Sequence, residues 1–419
     1  MKRTRRRKIH FLNIVLTFWI TFAGVVIAGV AGILIYNAIV GKADAVTLSP
    51  SGLSEAVSHM FSEKIPEAKA GEEALTPSGR YGEILADEEY MARNNIYAKE
   101  AASAEEVTLS FGGDILFDPS YSVMVKLLQR TNGIYDSISA ELLDEMKSAD
   151  ILMLNNEFPY SDRGTPTPEK QFTFRAKPES VSLLDDMGVD IVSLANNHAY
   201  DYGETALLDS LDILKEAGMP YVGAGRNLEE AAKPVYFIIN DIKIAYLSAT
   251  QIERLDNPDT KGATDNSAGV FRCWNPEGLL EAVKAAKENS DFVVVYIHWG
   301  TENTEEPDPA QLDQAPKIVE AGADLIIGDH PHCLQPIQYV DGVPVVYSLG
   351  NFWFNSKQVD TCLVKAAIDA NGLKSLKFIP ALQKDCRTSL LEGEEKERVL
   401  AYMRSISPGV NIDEEGFIN

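Results

Sequence analysis

Residues 189–202 read VDIVSLANNHAYDY, and the fold is read outward from this stretch. Its first six residues form a short, mostly apolar run with the length and β-branched content of a buried strand. The run ends in Asn196, Asn197 and His198, followed by Asp201 and Gly203. Polar side chains at the mouth of a buried strand are where open α/β folds keep their chemistry. Three further apolar runs end the same way, in Glu157, in His298 and in the His330–His332 pair. Four such ends predict a metal-dependent site built at one edge of a sheet.

The chain has 419 residues, 45% hydrophobic and 24% charged, enough for a large folded domain. Its formal net charge of −24 argues against nucleic acid as a partner, because phosphate-backbone binding needs a basic face. The N-terminus departs from this balance. Lys2, Arg3, Arg5, Arg6, Arg7 and Lys8 precede an uncharged, largely apolar run over residues 11–40. A bilayer needs roughly 20 apolar residues, so the run predicts an uncleaved, single-pass signal anchor, in preference to a cleaved leader with its shorter apolar core. The basic flank places residues 1–10 in the cytoplasm and the main domain outside the cell membrane. Residues 41–105 are acidic and Ala/Glu-rich, with short helices expected over 54–61 and 83–100, and read as an extracytoplasmic stalk.

The folded domain is expected over residues 106–390, with a C-terminal helix and tail over 391–419. Strands are predicted at 107–111, 151–155, 189–194, 292–297, 324–327 and 343–348, with helices between most of them. Hairpins turn on Asn240-Asp241 and Asn371-Gly372. Strands apolar on both faces fit a layered α/β architecture better than a barrel of hairpins. Cys273, Cys333, Cys362 and Cys386 lack zinc-finger spacing. Free buried thiols and one bridge are both open, and a bridge would join Cys362 to Cys386, which flank the last hairpin.

The candidate ligands are Asp114, Glu157, Asn196 or Asn197, His198, His298, His330 and His332. Carboxylate and amide oxygen with imidazole nitrogen suit Mn²⁺, Fe²⁺ or Zn²⁺, one or two ions, better than a thiolate metal. Of six histidines, the four inside the domain all fall at strand ends. Individually the residues have blander readings: His298 beside Trp299 as a satisfied core histidine, Asp114 after two glycines as a turn former, Asn196-Asn197 as a helix cap. The spacing of Asp201 and His198 predicts a carboxylate that fixes the imidazole tautomer.

Six segments together carry a family resemblance: Phe111-Gly-Gly-Asp114, Asn155-Asn-Glu157, the Leu194–Gly203 stretch, His298-Trp-Gly300, Gly328-Asp-His-Pro-His332 and Ser348-Leu-Gly-Asn-Phe352. Their order resembles the motif series of the CapA/PgsA-type capsule biosynthesis proteins, which are linked to poly-gamma-glutamate synthesis or export and are similar to calcineurin-like metallophosphoesterases. The resemblance implies a four-layer α/β/β/α sandwich. It implies that Asp114, Glu157, Asn196 or Asn197, His298, His330 and His332 hold metal, and that His198, held by Asp201, contacts substrate and acts as the general acid that protonates a leaving oxygen. Two departures stand out: Leu116 occupies the position of a histidine ligand, and Glu157 replaces an aspartate. The implied roles are a hydrolase acting on a phosphoester or glutamyl amide, or a scaffold or polymer-binding subunit of a capsule synthase or export complex. The implied partners are an anionic polymer or phosphorylated envelope substrate and other membrane subunits of the capsule machinery.

Overall fold

In the computed structural model, which describes residues 79–252 and 260–419, the apolar runs become strands of two large sheets. The first contains, in spatial order, β1 (Ile96–Ala98), β7 (Val235–Ile239), β8 (Ile242–Thr250), β10 (Phe292–His298), β11 (Leu325–Asp329), β13 (Val343–Val346) and β12 (Ile337–Val340). The second contains β17 (Arg387–Leu390), β16 (Gly372–Lys384), β15 (Val359–Asp369), β2 (Val107–Ile115), β3 (Ile151–Asn156), β4 (Ile191–Ser193) and β5 (Tyr221–Val222). β14 (Asn351–Trp353) pairs with β2, β18 (Phe417–Ile418) with β16, and β6 (Ala224–Gly225) with β9 (Gly269–Val270). The runs β8–β10–β11–β13 and β2–β3–β4–β5 are parallel, and the hairpins supply antiparallel flanks. This is a mixed α/β fold compatible with an α/β sandwich.

The period of two along each strand decides what meets what. On β10, Phe292, Val294 and Tyr296 enter a core shared by both sheets. Val293, Val295 and Ile297 face the helices Glu277–Glu288 and Pro309–Ala321. On β3, Ile151 and Met153 join the shared core, while Leu152 and Leu154 pack towards the helices Ala140–Lys147, Ser182–Met187 and Gly203–Glu216. The same alternation, carried past the last apolar residue, puts Asn155, His298 and Asp329 on the inter-sheet side at the strand ends.

Asp114 reaches that side by a different route. Val107, Leu109 and Phe111 face the shared core, so strict alternation would turn Asp114 away from it. Phe111 pairs with Met153 and Asp114 with Asn155, so β2 carries one extra residue: a β-bulge at Gly112-Gly113. Beyond the bulge Asp114 lies with Asn155, and Ile115 and Leu116 pass into the helix-side core. A Cβ on Gly113 would lie 1.8 Å from the Gly350 carbonyl oxygen, so no other residue fits without backbone movement.

Several expectations change here. The predicted helix over 83–100 is two short helices, Gly82–Leu85 and Glu88–Arg93, followed by β1. Asn95, at φ 52°, breaks the helical path, and Ile96 is buried as β1 pairs with β7. The part of the expected stalk that is described is thus an edge strand of the first sheet, tied further by the Ala102 amide to Asp150 at 2.7 Å. The expected C-terminal tail ends in β18, and the helix Gly393–Ile406 buries Val399, Leu400 and Met403 in the shared core. All four cysteines are free thiols, so the Cys362–Cys386 bridge is not formed. Cys362 sits opposite Pro380, which leaves Cys386 about 13 Å or more farther along the sheet, beyond the roughly 7 Å reach of a disulfide. The expected basic tail (1–10), the expected anchor (11–40) and the expected stalk as far as residue 78 lie outside the described residues. Among the described residues no helix is long and apolar enough to cross a membrane.

Replacing Gly113 by alanine is expected to lower unfolding stability by about 1–3 kcal/mol or more, the scale of overpacking. Urea denaturation checks this, and an unchanged midpoint would show that the bulge tolerates a side chain.

Candidate metal centre

Donor atoms from both sheets converge at the C-terminal edge of the shared core. Three groupings place their ligand atoms within 4.8 Å of one another: Glu157 with His298 and His330, Asp114 with His298 and Asp329, and Asp114 with Glu157 and His332. His298 Nε2 lies 2.7 Å from Asn197 Oδ1, 3.0 Å from His330 Nδ1 and 3.7 Å from Glu157 Oε1, while its Nδ1 lies 2.8 Å from Asp329 Oδ1. His332 Nδ1 lies 3.1 Å from Asp114 Oδ2 and 2.8 Å from Asn351 Oδ1. His330 and His332 hold positive φ of 96° and 59°. Such backbone costs roughly 1–3 kcal/mol per residue and persists where its surroundings over-determine it.

Asparagines brace this set. Asn155 Nδ2 donates to Asp114 Oδ1 at 2.8 Å, and its Oδ1 accepts from Asn196 Nδ2 at 3.0 Å. Asn196 Oδ1 in turn accepts from the His198 amide. Asn196 is thereby occupied in linking β3 to the turn after β4, whereas the Asn197 side chain addresses His298. Neither caps a helix: Gly203–Glu216 starts after Tyr202. Leu116 is wholly buried among apolar side chains and offers nothing to the centre.

Burial dominates the electrostatics of the cluster. Both Glu157 oxygens and Asp329 Oδ2 are buried with no hydrogen-bond partner, a costly state for a carboxylate. Burial, then the charge of Asp114, pushes Glu157 and Asp329 well above the usual carboxylate range. Burial also raises Asp114, but the His332 hydrogen bond and charge outweigh it and hold Asp114 low, with His332 raised in exchange. Burial drives His298 down to about 3 and His330 well below its ordinary value. Imidazoles that resist protonation beside carboxyl oxygens without partners form a donor set that a divalent ion would fit, and oxygen with imidazole nitrogen matches Mn, Fe or Zn.

His198 stands at the rim. Its Nδ1 lies 2.7 Å from Asp201 Oδ2, and its Nε2 lies 3.9 Å from Glu157 Oε1. Burial lowers its pKa despite the Asp201 charge. Asp201 also accepts from Lys170 Nζ at 2.6 Å and from the Phe174 amide at 2.7 Å, and Lys170 Nζ donates to the Asn197 carbonyl as well. The loop bearing Lys170 is laced to the turn by the Thr167 amide, which donates to the Asp201 carbonyl at 2.8 Å. Phe174 lies against the His198 ring at 4.1 Å between centroids.

The structure therefore brings Asp114, Glu157, Asn197, His298, His330 and His332 into one cluster, with Asn196 as a brace and His198–Asp201 at the edge. Asn155, Asp329, Asn351 and Lys170 were not among the residues expected from the sequence. The first three had a usable signal, since each lies at a strand end or in a quoted motif. Lys170 had none, because it sits in a Pro/Thr-rich loop far from the other segments.

Comparison with known proteins bears on the same residues. The family model described as bacterial capsule synthesis protein PGA_cap matches residues 108–356, a span that takes in Asp114, His332 and Asn351. Capsule biosynthesis protein CapA of Bacillus anthracis is 32% identical over 307 residues, covering 70% of this chain and 72% of that protein. PGA biosynthesis protein CapA of Bacillus subtilis (strain 168) is 32% identical over 285 residues, covering 66% and 72%. A probable polyglutamine synthesis accessory protein of Mycobacterium tuberculosis, MT0602, is 26% identical over 213 residues, covering 49% and 56%.

Because burial raises Glu157 and Asp329 well above the usual carboxylate range, and a cation favours their ionised forms, metal binding is expected to release protons and to strengthen as pH rises. Calorimetry in two buffers of different ionisation enthalpy measures the number. Glu157→Gln is expected to reduce that release and to weaken metal binding by at least about tenfold, while the metal-free unfolding midpoint stays level or rises. A fall in that midpoint would assign Glu157 to the fold instead.

Proposed function

This chain belongs to the bacterial capsule synthesis protein family, and from that membership we propose a membrane-anchored, extracytoplasmic, metal-dependent hydrolase of capsule or poly-gamma-glutamate biosynthesis, acting on a phosphoester or glutamyl amide bond. The observation that carries the catalytic part is Glu157, whose two carboxyl oxygens are buried without a partner among imidazoles. A group so placed stabilises nothing in the fold and is accounted for by a bound cation. Two sheets meeting over a shared core, with helices on both outer faces, support reading the architecture as a four-layer α/β/β/α sandwich of the metallophosphoesterase type.

Asp114, Glu157, Asn197, His298, His330 and His332 would hold one or two divalent ions, with Asp329 fixing the His298 ring. Such an ion lowers the pKa of bound water and polarises a phosphoryl or acyl oxygen. His198 moves the proton. Its Nδ1–H donates to Asp201, which leaves Nε2 turned to the Glu157 side, where it takes up a proton and returns it to a leaving oxygen or nitrogen. Asp201, anchored by Lys170 and the Phe174 amide, keeps that ring in one tautomer. Phe174 covers one face of His198 against water.

The apolar run over residues 11–40 is the proposed anchor. An anionic polymer or phosphorylated envelope molecule is the proposed substrate, with other membrane subunits of the capsule machinery as partners and no role for nucleic acid. The buried Leu116, where a further ligand would be needed, is what favours the second reading: a scaffold or polymer-binding subunit of the same machinery.

Elemental analysis of the full-length protein in detergent separates the two. Near-stoichiometric Mn, Fe or Zn is expected, lost in Asp114→Ala and His330→Ala while circular dichroism is unchanged. His198→Ala is expected to slow turnover of bis(p-nitrophenyl) phosphate or γ-glutamyl-p-nitroanilide by about 10²-fold or more, the usual worth of a proton-transfer group. No metal after reconstitution would make the scaffold the account of this chain.

A further inference from the structure

A groove of about 500 Å³ opens beside the centre, lined among others by Gln251, Trp274, Glu302, Asp308 and His330. We propose that it is a cation subsite, which seats a primary ammonium group of the substrate or product next to the metal centre. The proposal rests on the catalytic reading above and selects its amide branch. In amide hydrolysis the water oxygen forms the new C–O bond, the C–N bond breaks, and both water protons end on the departing nitrogen. At neutral pH the products are a carboxylate and an ammonium ion, and this groove is chemically matched to the second.

Four observations converge on that match. Trp274 is 49% exposed, so a bulky aromatic face is offered to the groove at a cost in water contact, and such a face attracts a cation. Glu302 and Asp308 both line the groove, and no Lys or Arg is among its described lining residues. The loop that supplies them also carries Glu305 and Glu306, and none of the four makes an ion pair among the described residues.

The third observation concerns the helix Pro309–Ala321, whose N-terminus points its positive end here and would ordinarily favour an anion. Its donors are already used. Asp308 Oδ1 accepts from the Ala310 and Gln311 amides at 2.9 and 3.0 Å, Gln311 Oε1 accepts from the Asp308 amide, and Pro309 has no N–H. Asp308 Oδ2 in turn accepts from Thr301 Oγ1 at 3.1 Å, so the helix end carries its own counter-charge and offers the groove no free anion site.

The fourth is continuity with the centre. His330, only 4% exposed, lines the groove while its Nδ1 lies 3.0 Å from His298 Nε2, and its Nε2 has no hydrogen-bond partner among the described residues. Glu302 is close enough for its charge to act on Glu157 and His332. A polyanionic chain is repelled from this mouth, so the acyl side of the substrate must approach the centre from another direction, with the amine side lying over Trp274.

The test uses the full-length protein in detergent, metal-loaded, with Nα-acetyl-lysine amide as the probe and its norleucine counterpart as the uncharged control. Calorimetry is expected to find binding of the lysine probe that weakens at least about tenfold in Trp274→Ala and in Glu302→Gln, and that falls as salt is raised from about 0.05 to 0.5 M. The norleucine probe is expected not to bind. Equal binding of both probes, binding that ignores both variants, or preference of the groove for N-acetylglucosamine would overturn the proposal. Metal content measured on the same samples keeps the two readings apart: normal metal without lysine binding sinks the subsite alone, and lysine binding without metal sinks the catalytic reading alone.

Discussion

The hydrogen bond from Asn155 to Asp114, 2.8 Å across β2 and β3, is the contact on which the rest of the centre depends. It exists because one extra residue at Gly112-Gly113 turns Asp114 onto the face that alternation would deny it. From there the bracing passes through Asn155 to Asn196 and on to the His198 amide. The ends of β2, β3 and β4 are thereby joined into one rigid rim. The other sheet supplies His298, Asp329, His330 and His332 from the ends of two parallel strands and the loop that follows.

This rim is energetically adverse, and the fold tolerates it because the apolar layers around it are extensive. Two carboxyls are buried with oxygens that lack hydrogen-bond partners, and two histidines hold left-handed backbone. None of these features stabilises a protein by itself. They are concentrated at one edge while the shared core and the two helix-side cores hold the strands in register. Local conflict at the end of otherwise consistent strands is the physical signature of a site kept for chemistry.

The two flanks of the centre differ in character. On one side Phe174 lies over His198, Phe354 lies 5.1 Å from the His332 ring, and Phe174 and Phe354 meet edge to face at 5.5 Å. This apolar wall shields His198 from water, and the same burial lowers its pKa. On the other side the Trp274 groove is open and acidic. On the proposed reading, a substrate that spans the centre would meet an apolar surface at one end and an acidic one at the other.

Much of this was legible in the sequence. Apolar runs of strand length located β2, β3, β4, β10 and β11, and the polar residues that close them named most of the cluster, because burial and alternation are local properties. The anchor, stalk and domain boundaries drawn from composition were local inferences too, yet β1 arose inside the expected stalk: an edge strand is recognised by the neighbour it pairs with, not by its own three residues. The Cys362–Cys386 bridge failed for a similar reason, since nearness in sequence across a long hairpin is not nearness in space. Tertiary structure alone decided that Asn197 rather than Asn196 faces His298, that Asp329 holds His298, and that Lys170 reaches Asp201 from a distant loop. Sequence determines which residues are at strand ends. Which of their atoms meet is set by bulges, turn geometry and the packing of one sheet on another, and those are properties of the whole chain.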